Sequence, residues 1–432
     1  MSRDEGPEVG RSLHLCGIPA HVLDVCQASA RRRQARWPAA ASARRAWLDA
    51  AQATRGPHLR RRPTSTASMF DAGSTGTRIH VFQFRMEDRG VPSLHQETFR
   101  SIQPGLSAYA DHPRECSAGI SELLKVAQST VPASLWSSTP VLLRATAGLR
   151  LLPEQKAQDL LDTVIAVDEI TPFLSGGDSV SILDGVDEGI GGICYRIISS
   201  SLKIPSMSVG MLDLGGGSFQ ITFSPQDEPP PTRTINYFST CASKTKAPVS
   251  YLGLGLMSAR LAILGGVDAS PSVGGSTELV SPCLAPEYSG SWEYAEVVYT
   301  VRGQKAGEPL YEACVTRVEK FLYKKLLKVS EAADADFFSL SYFYDRVVDL
   351  GDEGTVHVSD YVNAAKRVCS GLSVSPQQSP FLCLDLVYIS VLLQELGFST
   401  DKQFKLAKTM NHVGLSWSLG AAFHHLNTLN TH

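Results

Sequence analysis

The chain has 432 residues, 43% of them hydrophobic and 19% charged, which is enough for one large two-lobed unit or two ordinary domains. Its 40 basic and 43 acidic residues give a net charge of −3, which argues against a protein that binds nucleic acid through overall electrostatics. It has no apolar run of about eighteen residues, so the sequence predicts no membrane-spanning helix.

The first 67 residues are predicted to form a basic, disordered N-terminal arm. Up to Pro63 they contain twelve arginines, no lysine and five acidic residues, a net charge of +7 that leaves −10 on the rest of the chain. They show no steady helical or strand period, and no apolar run of the kind that a signal peptide needs. We interpret the arm as a solvated tail, with binding to nucleic acid or to an anionic membrane as the alternative.

A turn rich in small and polar residues occurs twice, each time between two apolar strands. The first copy spans residues 68–84 and the second spans residues 209–223. In both copies the residues after the turn alternate between apolar and polar, which is typical of a β-hairpin. Each copy also has an aspartate two residues before its first glycine, Asp71 in one and Asp213 in the other. The sequence therefore predicts an internal duplication.

Helical periodicity is present in other parts of the chain. Residues 153–165 and residues 312–327 place their apolar side chains on one stripe. Alternation of such helices with strands predicts the α/β class.

The paired turns have the composition of a phosphate clamp. Glycine lets backbone N–H groups approach a phosphate closely, and serine and threonine hydroxyls add uncharged donors. Asp71 and Asp213 would then hold a divalent ion through its water ligands. The alternative is two structural hairpins whose aspartates close Asx-turns. Neither turn has the spacing of a P-loop or of a dinucleotide-binding fingerprint.

An acidic pair follows an apolar strand at residues 180–183. Glu188, next to Asp187, is placed where a carboxylate could take a proton from a water molecule that attacks phosphorus. The alternative is a solvated loop.

The nine cysteines form no cluster with zinc-ligand spacing. Cys283 and Cys314 bracket one segment, and Cys369 and Cys383 bracket another. The residues alone leave two interpretations open: local bridges in a secretory-compartment protein, or free thiols in a cytosolic one.

Five short segments resemble, in the same order, the five characteristic regions of the ecto-nucleoside triphosphate diphosphohydrolases, the apyrase-type nucleotidases. They are residues 71–78, 143–152, 187–189, 212–218 and 416–421. The resemblance extends from about residue 68 to residue 429.

This resemblance implies an α/β fold of two actin-like, RNase H-type lobes with a nucleotide cleft between them. The first lobe is expected to comprise residues 68–200 together with about 400–432, and the second lobe residues 201–399. We expect a monomer that binds a nucleoside diphosphate and does not bind nucleic acid.

The resemblance also implies a calcium- or magnesium-dependent hydrolase that releases phosphate from GDP, IDP or UDP. Its expected location is the Golgi or another part of the secretory pathway, or outside the cell. By position, Glu188 matches the family's general base. Ser218 and Gln220 match residues that orient the attacking water. Asp71 and Asp213 match carboxylates that hold the water shell of the metal.

Further matches concern the nucleotide and the cysteines. The residues matched to phosphate binding are Ser74, Thr75, Gly76, Thr77, Thr146, Ala147, Gly215, Gly216 and Gly217. Phe343 and Tyr344 match the place where the family stacks the base, with core aromatics as the alternative interpretation. The family pairs its cysteines locally, which implies Cys283–Cys314 and Cys369–Cys383 disulfides.

Two departures from the family pattern follow the acidic pair. Residues 190–199 contain two early glycines where the family usually continues with an aromatic-containing helix. Since each glycine costs a helix interior about 1 kcal/mol relative to alanine, we expect Glu188 to be held less firmly and the activity to be weak. Phe219 stands where related chains often carry a small polar residue.

Two other functions are kept as alternatives. One is a different actin-like phosphotransferase, such as a sugar kinase or an exopolyphosphatase, although we find neither an acceptor base nor a sugar pocket for it. The other is a non-catalytic nucleotide-binding protein, which the altered segment at residues 191–199 motivates.

Overall fold

The structure is a computed structural model that describes residues 64–431 with internal gaps at 87–91, 170, 200–208, 224–248, 267–276, 296, 305–309, 330–334, 349–353, 372–378, 407–408, 411–412 and 415. Residues 1–63 of the predicted arm lie outside the described residues. The first strand begins at Thr64, four residues before the predicted start of the fold, because Thr64 and Ser65 still pair with Arg85 and Phe84 of the next strand.

Sixteen strands are present in the described part of the chain. They are β1 (Thr64–Ala72), β2 (Thr77–Met86), β3 (Pro92–Ile102), β4 (Val141–Ala145), β5 (Val180–Ile182), β6 (Val209–Leu214), β7 (Ser218–Phe223), β8 (Val249–Leu252), β9 (Thr277–Ser281), β10 (Ser289–Tyr294), β11 (Val297–Gly303), β12 (Asp336–Ser341), β13 (Thr355–His357), β14 (Gln403–Leu406), β15 (Thr409–Met410) and β16 (Val413–Gly414).

Ten α-helices occur among the same residues. They are α1 (Cys116–Thr130), α2 (Ala147–Arg150), α3 (Glu154–Asp168), α4 (Gly185–Ser199), α5 (Leu256–Leu264), α6 (Leu310–Leu322), α7 (Tyr342–Val348), α8 (Val358–Cys369), α9 (Leu382–Glu395) and α10 (Trp417–Thr431). Helix α3 confirms the first periodic segment predicted from the sequence, and α6 confirms the second up to Leu322, where it ends five residues before the predicted end.

The first sheet has five strands in the order β3-β2-β1-β4-β5. Successive side chains of a strand point to opposite faces, so Phe70 packs on one side with α1 and α3, and Met69 packs on the other side with Trp417 and Phe423 of α10. Only the last six residues of β1, Ala67–Ala72, are buried, and Ala67, Met69, Phe70 and Ala72 supply the apolar contacts on its two faces.

The second sheet repeats this plan in the order β13-β14-β12-β6-β7-β8. Strand β1 is antiparallel to β2 and parallel to β4, and β6 is likewise antiparallel to β7 and parallel to β12. The two predicted hairpins are therefore equivalent strands of two related sheets, which confirms the internal duplication and the α/β class.

Helix α9 is the central element of the second lobe's core. Its residues 382–393 are all buried, and its side chains pack among those of β6, β7 and α6. A helix that is apolar on every side is stable only when it is covered on every side.

Helices α4 and α10 cross closely where the two sheets meet. Helix α4 packs on β7, and α10 packs on β1. A Cβ atom placed on Gly420 would lie only 2.1 Å from the backbone oxygen of Gly191, and one on Gly191 would lie 2.9 Å from the backbone oxygen of Trp417. The glycine at 191 therefore allows backbone contact with α10. The helix is continuous through Gly191, and the expectation that Glu188 is held less firmly stays a prediction.

Both disulfides implied by the family resemblance are formed. Cys283 and Cys314 join the end of β9 to α6, and Cys369 and Cys383 join the end of α8 to the start of α9. Cys116 is a buried free thiol.

The chain returns to the first lobe after β14. This strand pairs with β12 and β13 in the six-stranded sheet, although the sequence assigns residues from about 400 onward to the first lobe. Helix α10 then packs on the five-stranded sheet. The remaining lobe boundaries stay predictions. Among the described residues, no helix has both the length and the apolar character needed to cross a membrane.

Replacement of Gly420 by alanine tests the crossing of α4 and α10. The added methyl group would collide with the backbone at Gly191, so we expect Gly420→Ala to lower the free energy of unfolding by about 1–3 kcal/mol. Gly176→Ala is the matched control, because no atom lies within 4 Å of its Cβ position. Urea unfolding followed by circular dichroism measures both variants; equal stability of the two would contradict the close crossing.

Candidate active site

The two glycine-rich turns face each other at the junction of the lobes. The first connects β1 to β2 through residues 73–76, and the second connects β6 to β7 through residues 215–217. A Cβ placed on Gly216 would lie 2.5 Å from the Ser74 hydroxyl and 2.7 Å from the Thr75 methyl group. Only glycine permits this approach, so the turns meet as the sequence predicts.

The aspartates that precede the turns occupy matching strand ends. Asp71 lies opposite Arg78 in its hairpin, and Asp213 lies opposite Gln220 in the other. Arg78 donates to Asp71 over 3.3 Å, and the Ser341 hydroxyl donates to Asp213 over 2.6 Å. Burial raises the pKa of Asp213, the hydrogen bond from Ser341 lowers it, and the charge of Asp71 raises it further. The two carboxylates therefore lie near enough for the charge of one to act on the other.

Glu188 lies in the first turn of α4 and is buried, with 8% of its surface exposed. Arg150 donates to its Oε2 atom over 2.9 Å, and Gln220 Nε2 donates to the same atom over 3.2 Å. Burial raises the pKa of Glu188 to about 7; the nearby Arg150 lowers it, while Asp213 and Asp71 raise it. Such a carboxyl group can accept and release a proton near neutral pH.

Ser218 and Gln220 lie on the same face of β7, two residues apart. The amide Nε2 of Gln220 donates to the Ser218 hydroxyl over 2.6 Å and lies 3.3 Å from the hydroxyl of Ser250. The Oε1 atom of Gln220 is buried and accepts no hydrogen bond from the described residues. An amide oxygen can only accept hydrogen bonds, so this side chain keeps one acceptor unused while its Nε2 atom contacts Glu188.

The second segment of the family resemblance, residues 143–152, contributes backbone contacts through Thr146 and Ala147 and a positive charge through Arg150. Thr146 and Ala147 begin the short helix α2, and both are buried. The backbone N–H of Thr146 donates to Ala72, which holds α2 against the first turn, and a Cβ on Gly217 would lie 2.9 Å from the Ala147 methyl group.

Arg150 is a functional candidate that sequence reasoning missed. Its guanidinium donates to the Leu183 backbone oxygen at 2.7 Å, to Glu188 at 2.9 Å and to the Ser218 hydroxyl at 3.2 Å. Arg150 belongs to the segment 143–152 that carries part of the family resemblance, but its sequence position does not show that it reaches α4 and β7.

The prediction for the stacking aromatics is wrong for Phe343. This ring is fully buried and packs edge-on against Phe219, which is itself a core residue stacked on Tyr251. Tyr344 is half-buried, so its role in base stacking stays a prediction. The neighbouring Tyr342 instead forms a hydrogen bond with Thr75 of the first turn.

An ion cluster lies behind Tyr342 in the second lobe. The carboxylate of Asp385 is fully buried and lies 2.7 Å from Arg260 and 3.0 Å from Arg346. The Arg346 guanidinium also lies over the ring of Tyr342, at 5.4 Å from its centre. Two cations on one buried carboxylate leave this side of the cleft electropositive.

A cavity of about 660 Å³ opens beside the paired turns. Ser74 and Gly148 line it on the first lobe, and Tyr294, Phe321 and Lys325 line it on the second. Its volume is in the range of sites that bind small molecules.

No group of three or more His, Cys, Asp or Glu side chains with metal-binding geometry occurs within the described ranges. The pair Asp71 and Asp213 nevertheless has the chemistry of a magnesium or calcium site that keeps most of its waters, because few carboxylates and many other oxygens suit hard cations. Burial raises the pKa values of Asp213 and Glu188, and the charge of Asp71 raises both further, so a cation at this place would favour the ionised carboxylates.

Comparisons with known proteins agree with this geometry. Residues 62–432 match the GDA1/CD39 (nucleoside phosphatase) family. Ectonucleoside triphosphate diphosphohydrolase 6 of Homo sapiens is 50% identical over 375 residues, which cover 84% of this chain and 77% of that protein. Nucleoside diphosphate phosphatase ENTPD5 of Homo sapiens is 40% identical over 375 residues, which cover 84% and 87%.

A solved structure shares the fold. The nucleoside triphosphate hydrolase structure from Neospora caninum has a TM-score of 0.59 at 15% identity and covers 95% of this chain and 98% of its own. At this identity the likeness concerns the fold alone, and it confirms the predicted two-lobed, actin-like α/β architecture.

The raised pKa of Glu188 predicts how stability depends on pH. A carboxyl group whose pKa is about 7 when folded and about 4.5 when unfolded binds its proton more tightly in the folded state, so its contribution to stability is lost as the pH rises between these values. We therefore expect Glu188→Gln to raise the midpoint of thermal unfolding, relative to wild type, more at pH 8 than at pH 5. The exposed Glu122→Gln is the control, and the measurement is calorimetry in EDTA. An effect of equal size at both pH values would contradict the assignment.

Proposed function

Because the chain belongs to the GDA1/CD39 (nucleoside phosphatase) family, we propose that it is a nucleoside diphosphatase that releases inorganic phosphate from GDP, IDP or UDP. The observation that carries this proposal is the meeting of Glu188 with Asp71 and Asp213, from both lobes, at the contact of the two glycine-rich turns. The human relative named nucleoside diphosphate phosphatase is consistent with it.

The phosphate chain would lie between the two turns. Backbone N–H groups of residues 74–77 and 216–217 would donate to the phosphate oxygens, and the hydroxyls of Ser74, Thr75 and Thr77 would add further donors. The N–H of Gly215 donates to the backbone oxygen of Ser218, so Gly215 would contribute close approach of the backbone. The hydroxyl of Thr146 and the N–H of Ala147, at the start of α2, would donate from the side of the cleft. Phosphoryl transfer depends mainly on such positioning and on charge stabilisation, so few catalytic side chains are needed.

Asp71 and Asp213 would hold a calcium or magnesium ion through its water ligands. A bound divalent ion supplies positive charge that offsets the charge of the phosphate oxygens. Ser341 and Arg78 keep the two carboxylates in place through their hydrogen bonds.

Glu188 would act as the general base on the attacking water. Ser218 and the unpartnered Oε1 of Gln220 orient this water, and a Glu188 oxygen takes its proton. The water oxygen forms a bond to the terminal phosphorus while the bond from that phosphorus to the bridging oxygen breaks, which yields a nucleoside monophosphate and inorganic phosphate. Arg150 positions Glu188 and favours its ionised form.

The cellular setting is inferred from the disulfides and the relatives. Two disulfides are stable in an oxidising compartment, so we place the protein in the secretory pathway, in the Golgi or secreted. We infer that it acts as a monomer, because the paired turns and the acidic residues of the site all come from one chain.

Phosphate release from a nucleotide panel tests the activity. The protein should release phosphate from GDP, IDP and UDP in the presence of calcium or magnesium, release little from GMP, and stop when EDTA is added, as measured by a colorimetric phosphate assay. Equal turnover of GMP, or turnover that EDTA leaves unchanged, would contradict the proposal. Binding of GDP in calorimetry without phosphate release would favour a non-catalytic nucleotide-binding protein, and preferential transfer to a sugar would favour a kinase.

Replacement of the base tests the assignment of Glu188. Glu188→Gln keeps the shape of the side chain but cannot take a proton, so we expect kcat for GDP to fall on the order of a hundredfold or more. GDP binding, measured by calorimetry, should persist because the turns are unchanged. Glu122→Gln, on the exposed face of α1, serves as the control. A Glu188→Gln enzyme with more than a tenth of the wild-type rate would exclude this residue as the base.

A further inference from the structure

A short segment at the end of α6 exposes two large apolar side chains. Tyr323 is 69% exposed and Leu327 is 68% exposed, the two highest values among the large hydrophobic side chains that the structure describes. Single exposed apolar residues are common on protein surfaces, but two protruding ones four positions apart form a local apolar surface. Leu322 already supplies the buried contact with the core at this end of the helix, so the fold does not account for the other two.

Lysines surround these two side chains. Residues 320–328 include four lysines, all exposed, and no acidic residue, although Glu319 directly precedes them. Within the described ranges none of the four lysines forms an ion pair. The ammonium group of Lys325 lies 3.7 Å from the ring centre of Phe321, and both residues line the cavity beside the turns. The remaining positions form what we call the basic-apolar patch: Lys320, Tyr323, Lys324, Leu327 and Lys328.

The backbone holds Lys324 in a conformation that lysine rarely adopts. Its φ is +58°, in the left-handed region, just beyond the end of α6. Glycine is the usual residue at such a helix end, because it has no Cβ to collide with the backbone. A strained residue on an exposed turn indicates a use for its side chain. Here that side chain places a positive charge beside Tyr323, with the ammonium group 5.1 Å from the ring centre.

Hydrogen bonds on both sides fix the patch to the second lobe. The backbone N–H of Leu327 donates to the hydroxyl of Tyr251 over 3.2 Å, and the N–H of Val329 donates to the backbone oxygen of Leu396 over 2.9 Å. The disulfide of Cys314 further ties α6 to the end of β9. The exposed side chains therefore stand on a backbone that is held in place.

We propose that the basic-apolar patch attaches the protein to an anionic membrane surface. The lysine ammonium groups would contact the negatively charged headgroups, while Tyr323 and Leu327 would enter the boundary between headgroups and acyl chains. The shape favours a membrane over a protein partner. Protruding apolar side chains need a matching pocket in a protein, whereas a bilayer accepts them without one. The inference goes beyond the proposed function, because attachment requires no catalysis.

Vesicle sedimentation tests the attachment with the full-length chain. One vesicle preparation is phosphatidylcholine alone, and the other contains one part phosphatidylserine to two parts phosphatidylcholine. We expect the wild type to bind the mixed vesicles and to bind them less as salt is added, with part of the binding retained because salt does not screen apolar contacts. Equal binding to both preparations, or binding to neither, would overturn the proposal.

Removal of the positive charges tests the patch itself. We combine Lys320→Gln, Lys324→Gly and Lys328→Gln. A lysine near an anionic membrane changes partitioning about fivefold, so the triple variant should bind the mixed vesicles about a hundredfold less. Lys324→Gly alone should also bind less, yet it should unfold at no lower temperature than the wild type, because glycine relieves the strained turn. Loss of binding in this variant is then not a folding defect.

A second triple variant controls for overall charge. Arg100→Gln, Arg114→Gln and Lys125→Gln remove three exposed positive charges from the first lobe, the same change in net charge. This variant should bind the mixed vesicles like the wild type. Both triple variants keep the basic residues 1–63, so an equal loss in the two, or no loss in the patch variant, would assign the binding to overall charge or to those residues and would overturn the proposal.

The apolar side chains are tested separately. The double variant Tyr323→Ser and Leu327→Ser should bind the mixed vesicles about tenfold less or weaker still. Val298→Ser is the control, since Val298 is 53% exposed on β11 and lies outside the patch. A double variant that binds like the wild type would show a purely electrostatic contact and would overturn the proposal. Binding to heparin without binding to the mixed vesicles would overturn it as well.

Discussion

Three carboxylates are held close together in a mostly buried space, and the rest of the site depends on this constraint. Burial is the main reason that the pKa values of Glu188 and Asp213 are raised, and the charge of Asp71 raises both further because like charges repel strongly where water is excluded. Within the described residues, Arg150 donates to Glu188 and Arg78 donates to Asp71. These arginines relieve only part of the repulsion, so the fold keeps a concentration of negative charge that suits a divalent cation and a proton acceptor.

Duplication of one topology accounts for how the carboxylates meet. In each lobe a hairpin strand ends in an aspartate, the glycine-rich turn follows, and a parallel strand lies on the other side, β4 in one lobe and β12 in the other. When two such units pack turn to turn, their aspartates come together without any long-range sequence signal. Gly191 and Gly420 permit the close crossing of α4 and α10. This crossing sets how closely the two lobes approach each other, and it places Glu188, at the start of α4, beside both aspartates.

The features that the sequence predicts correctly are those set by local residue type and period. The hairpins, α3, α6 and the facing turns follow from alternation, helical stripes and glycine, whereas the disulfide pairing came only from the family resemblance. Arg150 and Tyr342 were missed because their partners are far away in the chain, at α4 and at the first turn. Residues 342–344 are three consecutive aromatics, and their sequence does not reveal which of them faces the cleft. The register of α7 decides which side chain does so, and this register buries Phe343. The close contact of Gly191 with α10 was missed for a similar reason, because a helix-propensity scale contains no term for the helix that crosses it.

Contact between the turns also determines how a nucleotide would enter. Gly216 touches Ser74 and Thr75, and Tyr342 of the second lobe is hydrogen-bonded to Thr75, so a phosphate chain can lie between the turns only after these contacts separate. Phosphate oxygens accept hydrogen bonds from the same donors, and they can therefore replace the interactions that are lost. The cavity beside the turns is also lined by both lobes, with Ser74 on one and Lys325 on the other. A phosphate chain held by donors from both turns would therefore replace the direct contact between the turns and keep the two lobes linked.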